Sequence, residues 1–131
     1  MNITMVKGLF VIAALYDGIL GLLFLFFPGL AFEMFEVVPP NHFGYVQFSA
    51  ILLLIFAAMF FRISRDPIAN RFMMLYGVAL KTGYSGLVFY YMLTTGVPAM
   101  WVPWAWADLA FLVVFLICWN YTGRIAKAPA D

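Results

Sequence analysis

Three ionisable side chains stand inside long apolar runs. Lys81 lies at the centre of FMMLYGVALKTGYSGLVFYYML, Asp17 within GLFVIAALYDGILGLLFLFF and Asp108 within WAWADLAFLVVFLICWNY. An ammonium group in hydrocarbon costs roughly 2.5–3.5 kcal/mol on the translocon scale, so Lys81 must face protein or water and find a partner. Asp17 and Asp108 are the two carboxylates that can serve. One ammonium beside two carboxylates leaves a single negative charge when all three ionise, and a proton on one carboxylate removes it. Such a group can bind a cation, exchange a proton or pass an ion. It can also take a small polar or amphipathic ligand, with Lys81 neutralising an anionic group while Asp17 and Asp108 tune it. A third use is purely structural, a triad that decides which helices meet.

Other polar residues are placed to join it. Gly77, Lys81, Tyr84, Ser85 and Val88 recur at helical spacing, so Tyr84 and Ser85 share the lysine's face. Gln47 is the amide of another apolar run, and Tyr16 and Tyr45 add hydroxyls. The expected ligand-binding set is therefore Lys81, Asp17, Asp108, Gln47, Tyr84 and Ser85. No nucleophile with base and orienter, Gly-rich phosphate loop or haem-style histidine pair is visible, so no catalytic residue, cofactor or metal is assigned. His42 near Glu33 and Glu36 matches no ligand spacing and reads as a capping or interfacial residue. The single cysteine, Cys118, allows neither an intrachain disulfide nor a zinc-type pair and reads as a packing residue.

These groups need a scaffold, and composition names its class. The 131 residues are 66% hydrophobic and 10% charged, far from the balance of a water-soluble domain. The expectation is an all-α polytopic membrane protein. It is a single transmembrane domain built as an antiparallel four-helix bundle with spans at about 8–27, 43–61, 72–93 and 104–121. Lys7 ahead of an apolar run resembles a signal peptide. That run is too long, contains Asp17 and reaches Phe27-Pro28-Gly29 without a cleavage motif, so it reads as a retained first span. Gly18 and Gly21 would let a neighbouring helix approach it.

The connections read as follows. LAFEMFEVVPPNHF is a short interfacial helix ended by Pro39-Pro40, and Asn41 caps the second span. RISRDPIANR is a loop turning at Asp66-Pro67, with Asp66 pairing to a nearby arginine. Trp101, Trp104 and Trp106 form an interfacial belt, Trp119 and Tyr121 mark the opposite boundary, and the tail TGRIAKAPAD is polar and frayed. Lys7, Arg62, Arg65, Arg71, Arg124 and Lys127 all fall on one side of this arrangement, which makes that side and both termini cytoplasmic. Counting along the helices puts Asp17 and Lys81 near the midplane. Asp108 falls about 5 Å outward and Gln47 somewhat further, hence a pocket in the outer half. A net charge of +1 with dispersed basic residues excludes nucleic acid as a partner.

The stretch LYDGILGLLFLFFPGLAFEMF, most specifically over Gly18 to Phe35, resembles the small bacterial DoxX-like membrane proteins, as do the four short spans and a length near 130 residues. The resemblance implies a four-helix fold in the inner membrane. Some members of that group are associated with membrane redox or thiol-stress complexes. The partners expected are thus the lipid bilayer, a small-molecule or lipid ligand, and a homo-oligomer or larger membrane complex. A rival to the ligand pocket is an accessory or assembly subunit of such a redox or transport complex, with the triad serving helix register.

Overall fold

The structure, a computed structural model, describes residues 1–128. It is all-helical, with no strand among the described residues: α1 (Ile3–Phe26), α2 (Leu30–Met34), α3 (Gly44–Arg65), α4 (Met73–Leu93), a 3-10 turn (Ala99–Trp101) and α5 (Val102–Lys127). Three helical segments are long and apolar enough to cross a membrane: α1, α3, and the turn with α5. Their outward faces carry bare apolar side chains such as Ile12, Ile19, Phe48, Ile55 and Ile117, a surface suited to hydrocarbon. At 21 residues α4 is long enough to span. It is not among the three, because Lys81, Thr82, Tyr84 and Ser85 dilute its apolar character.

Local chemistry sets the helix ends. Asn2 starts α1 by accepting a hydrogen bond from the Met5 N–H at 2.9 Å, and α1 stops just before Phe27-Pro28. At α3 the expected cap was Asn41. Instead Nδ1 of His42 accepts from the Gly44 N–H at 2.9 Å, because the ring lies two residues before the first free donor. The interfacial segment is helical only over Leu30–Met34 and ends well before the prolines. Helix α3 runs to Arg65, past the expected end at Phe61. Arg62 and Arg65 in its last turn oppose the negative end of the helix dipole. Asp66 does not pair with an arginine. Its carboxylate accepts from the Ala69 N–H at 3.1 Å, three residues on, in the manner of a helix N-cap. Nor is the stretch from Thr122 frayed: α5 continues to Lys127 with Arg124 and Lys127 in its last turn. Residues 129–131 of the expected tail lie outside the described residues.

The long helices form two closely packed antiparallel pairs, α1 with α3 and α4 with α5. Registers run oppositely in each: Gly18 faces Ala57, Gly21 faces Ala50 and Leu54, and Leu25 meets Gln47. Likewise Ser85 meets Ala105 while Met74 meets Thr122. The two pairs stand further apart, and rings fill the gap. Phe10 stacks on Phe115 at 4.8 Å between centroids, and Phe60 packs on the same ring at 5.1 Å. Val6, Ala13, Ile63, Met74 and Cys118 complete this dry core. It occupies the end of the molecule opposite α2 and the 3-10 turn.

Gly21 sets the α1–α3 distance. A Cβ there would come within 2.9 Å of Leu54 Cγ and 3.0 Å of the Ala50 carbonyl oxygen, which is backbone and cannot swing aside. Gly21→Leu is expected to destabilise the fold by about 1–3 kcal/mol through overpacking. Thermal unfolding followed by circular dichroism in mild detergent measures it, and an unchanged midpoint would mean that the two helices are not in close contact at this position.

Candidate functional site

Helix α4 buries one stripe: Met74, Gly77, Lys81, Ser85 and Val88, with Tyr84 half-buried beside it. Helical periodicity therefore carries Lys81 into the space between the two helix pairs, where no water or lipid reaches it. Its Nζ donates to Asp17 Oδ1 of α1 at 2.7 Å and lies 3.0 Å from Asp108 Oδ1 of α5. Both aspartates are thus partners of the lysine. The Asp108 oxygen is at ion-pair distance but out of hydrogen-bonding alignment. Relative exposures of 1%, 0% and 6% for Lys81, Asp17 and Asp108 make this a buried triad drawn from three helices.

Rings provide part of the lysine's solvation. The ammonium lies 5.1 Å from the centroid of Tyr16, 5.3 Å from Phe111 and 5.8 Å from Phe60. Each presents a partial negative face to the cation. On the carboxylate side satisfaction is incomplete. Asp17 Oδ2 and the Tyr16 hydroxyl are buried with no hydrogen-bond partner in the structure.

Directly above lies a cavity of about 750 Å³, roofed by the Val37–Pro40 segment and the turn at Pro98–Trp101. Its wall includes Asp17, Asp108, Tyr16, Tyr84, Trp101 and Trp104, with Phe24 and Phe32 among its apolar members. Lys81 is not part of that wall. The cavity meets the carboxylates, and the ammonium sits behind them.

The remaining expected site residues part company. Tyr84 lines the cavity, and its hydroxyl donates to the Trp101 carbonyl at 2.9 Å, which anchors the 3-10 turn to α4. Ser85 is buried and donates to the Ala105 carbonyl at 2.9 Å, tying α4 to α5. Gln47 is turned away from the cavity, where its amide donates to the Leu25 carbonyl at 3.2 Å across the α1–α3 contact. Tyr45 lines the cavity, and Glu33 and Glu36 are exposed.

Residues not singled out from the sequence as site residues are aromatic. Trp101 and Trp104, expected only as a membrane-interface belt, form cavity wall, and Phe32 of α2 packs edge-on against Trp101 at 5.9 Å. The available signal was their clustering beside two prolines at the same end as α2. Comparison with protein families, curated proteins and solved structures returns no match for this chain.

Removing the ammonium alone would strand two buried carboxylates. Lys81→Met is expected to cost about 3–5 kcal/mol of stability. Combining it with Asp17→Asn and Asp108→Asn should restore a large part, since no buried charge then remains. Unfolding in detergent micelles checks both, and additive losses would show that the three groups do not interact.

Proposed function

We propose that this chain is a small integral membrane protein that binds a small polar or amphipathic ligand in an intramembrane pocket bordered by the triad of Lys81, Asp17 and Asp108. The observation that carries the reading is the junction itself: a fully buried ion triad whose two carboxylates form part of the wall of a cavity of about 750 Å³. Ligand sites are typically concave and mostly apolar with a few fixed polar groups, and this cavity has that make-up. Ionisable residues inside a membrane span are functional-site hypotheses by default. Asp17, Asp108 and Tyr84 would contact the ligand, while Lys81 holds the carboxylates in place. Ser85 and Gln47 would hold the helices that carry them. Passage of an ion is less well supported, because the Phe10, Phe60 and Phe115 core closes the way beyond the triad.

The membrane arrangement belongs to the same proposal. Helix α4 would cross together with the three more apolar segments, its lysine neutralised inside the protein, to give a four-span antiparallel bundle. Lys7, Arg62, Arg65, Arg71, Arg124 and Lys127 lie toward the end opposite α2 and the 3-10 turn. The positive-inside rule makes that end cytoplasmic, with both termini. The resemblance of the Gly18–Phe35 stretch to DoxX-like proteins fits such a bundle in a bacterial inner membrane.

Native mass spectrometry of the gently extracted protein tests the pocket. Wild type is expected to carry a small-molecule or lipid adduct that is lost from Leu53→Trp, which fills the cavity from α3 without touching the triad. The same adduct on both proteins would refute the pocket. A stoichiometric protein partner, with no adduct on any form, would instead identify an accessory subunit of a larger complex.

A further inference from the structure

We infer that the cavity is a site for a lipophilic monocation, an amine, quaternary ammonium or phosphonium group with an apolar body; this rests on the pocket reading above and names the ligand class. Charge is the first argument. With all three groups ionised, one ammonium set against two carboxylates leaves one negative charge uncompensated, and the cavity wall includes the two aspartates and not the lysine. An anionic ligand would meet Asp17 and Asp108 at the wall, with Lys81 out of reach behind them. A cation would complete the charge balance of the layer and no more than one unit of charge is needed, which selects a monocation.

The second argument is independent of the charge count. Asp17 is wholly buried, yet its Oδ2 has no partner, and neither has the neighbouring Tyr16 hydroxyl. A buried carboxylate oxygen left unmatched is costly, and Asp108, which borders the cavity and keeps 6% exposure, is the carboxylate that a cationic or hydrogen-bond-donating group in that space would reach. The third is the wall. Tyr16, Tyr45, Tyr84, Trp101 and Trp104 all border the space. Electron-rich rings around a cation supply the cation–π stabilisation used to recognise ammonium groups that cannot be fully hydrated.

The route in agrees with a lipophilic body. Phe60 of α3 fills the space beside Gly77 of α4, and the cavity wall includes Val46, Ser49 and Leu53 of α3 together with Leu80 and Tyr84 of α4. Above that point Ser49 and Leu52 of α3 belong to the cavity wall and are also exposed on the outside of the protein. An opening beside Ser49 and Leu52 would face lipid in a membrane-embedded protein.

Two probes of matched shape and opposite charge separate the possibilities. The full chain in neutral detergent or in zwitterionic nanodiscs is titrated with tetraphenylphosphonium and, separately, with tetraphenylborate, followed by calorimetry and by quenching of tryptophan fluorescence. Saturable binding of the cation is expected, weakened about tenfold or more by Asp108→Asn and by Leu53→Trp, with no comparable binding of the anion. Asp108→Asn retains the Lys81–Asp17 pair, and Leu53→Trp leaves every charge in place, so one of the two reports even if the other fails to fold. Binding of tetraphenylborate as tightly as the cation would overturn the charge assignment while leaving a ligand pocket. Cation binding unchanged in both variants would place it in the micelle or elsewhere on the protein and overturn the assignment. Binding of neither probe would overturn it too, and the pocket would then stand or fall on the mass-spectrometric adducts.

Discussion

The contact on which the rest of this structure depends is the Lys81 ammonium held 2.7 Å from Asp17 and 3.0 Å from Asp108. Among the described residues it is the only place where one side chain binds charged groups from α1 and α5 at once, and it does so from α4. Every other tie between the two helix pairs is a ring contact or apolar packing, which is strong in sum but tolerant of rotation and sliding. A salt bridge is not tolerant in that way. With all three groups buried, a turn of any one helix that pulled them apart would strand a charge at a cost of several kcal/mol. The triad therefore sets the rotation and depth of three helices relative to one another, and the aromatic core fills whatever distance that leaves.

The two sides of this layer differ in kind. On one, Phe10, Phe60 and Phe115 interlock and exclude water. On the other, the same helices diverge around a cavity whose roof is built from connecting segments. The difference follows from residue size and position. Bulky rings occupy the gap between helix pairs at the end opposite α2 and the 3-10 turn. Toward α2 the inward positions of α1 and α3 include Leu20, Ala50 and Leu53, too small to span the same distance. The proline-rich connections then close the space from above: Pro39 and Pro40 on one side, Pro98 on the other.

Much of this was legible in the sequence, and the limits have physical causes. Periodicity identified the buried stripe of α4, since a 3.6-residue repeat leaves little freedom over which face a lone lysine can use. Asp17 and Asp108 were legible as candidate partners because they are the acidic residues inside the apolar runs, but which of them meets the lysine was not. Periodicity does not specify how far each helix is rotated about its own axis relative to its neighbours, and that is why Gln47 was placed near the lysine although it faces Leu25. Helix ends were read from hydropathy, which falls where the chain leaves the apolar layer, whereas hydrogen bonding carries α3 and α5 on through Arg65 and Lys127. The aromatic wall was hidden for another reason. A tryptophan at a membrane boundary satisfies the same amphipathic requirement whether it faces headgroups or lines a cavity.

A triad needed only for helix register would carry a different signature from this one. Replacing a buried ion pair with apolar side chains of similar volume is often neutral or stabilising, so charge alone is a weak reason for keeping it. Where such a network is purely structural, the favourable arrangement saturates every oxygen and packs its surroundings, because a half-satisfied buried network is worse than an apolar core. Here Asp17 Oδ2 and the Tyr16 hydroxyl lack partners, and the carboxylates border an open space that larger residues at Ala50 or Leu53 would fill. Both departures fall at the triad and the cavity beside it. A ligand that supplied a donor or a positive charge at that point would satisfy the free oxygens and occupy the space together, and this coincidence favours a binding site over a structural clamp.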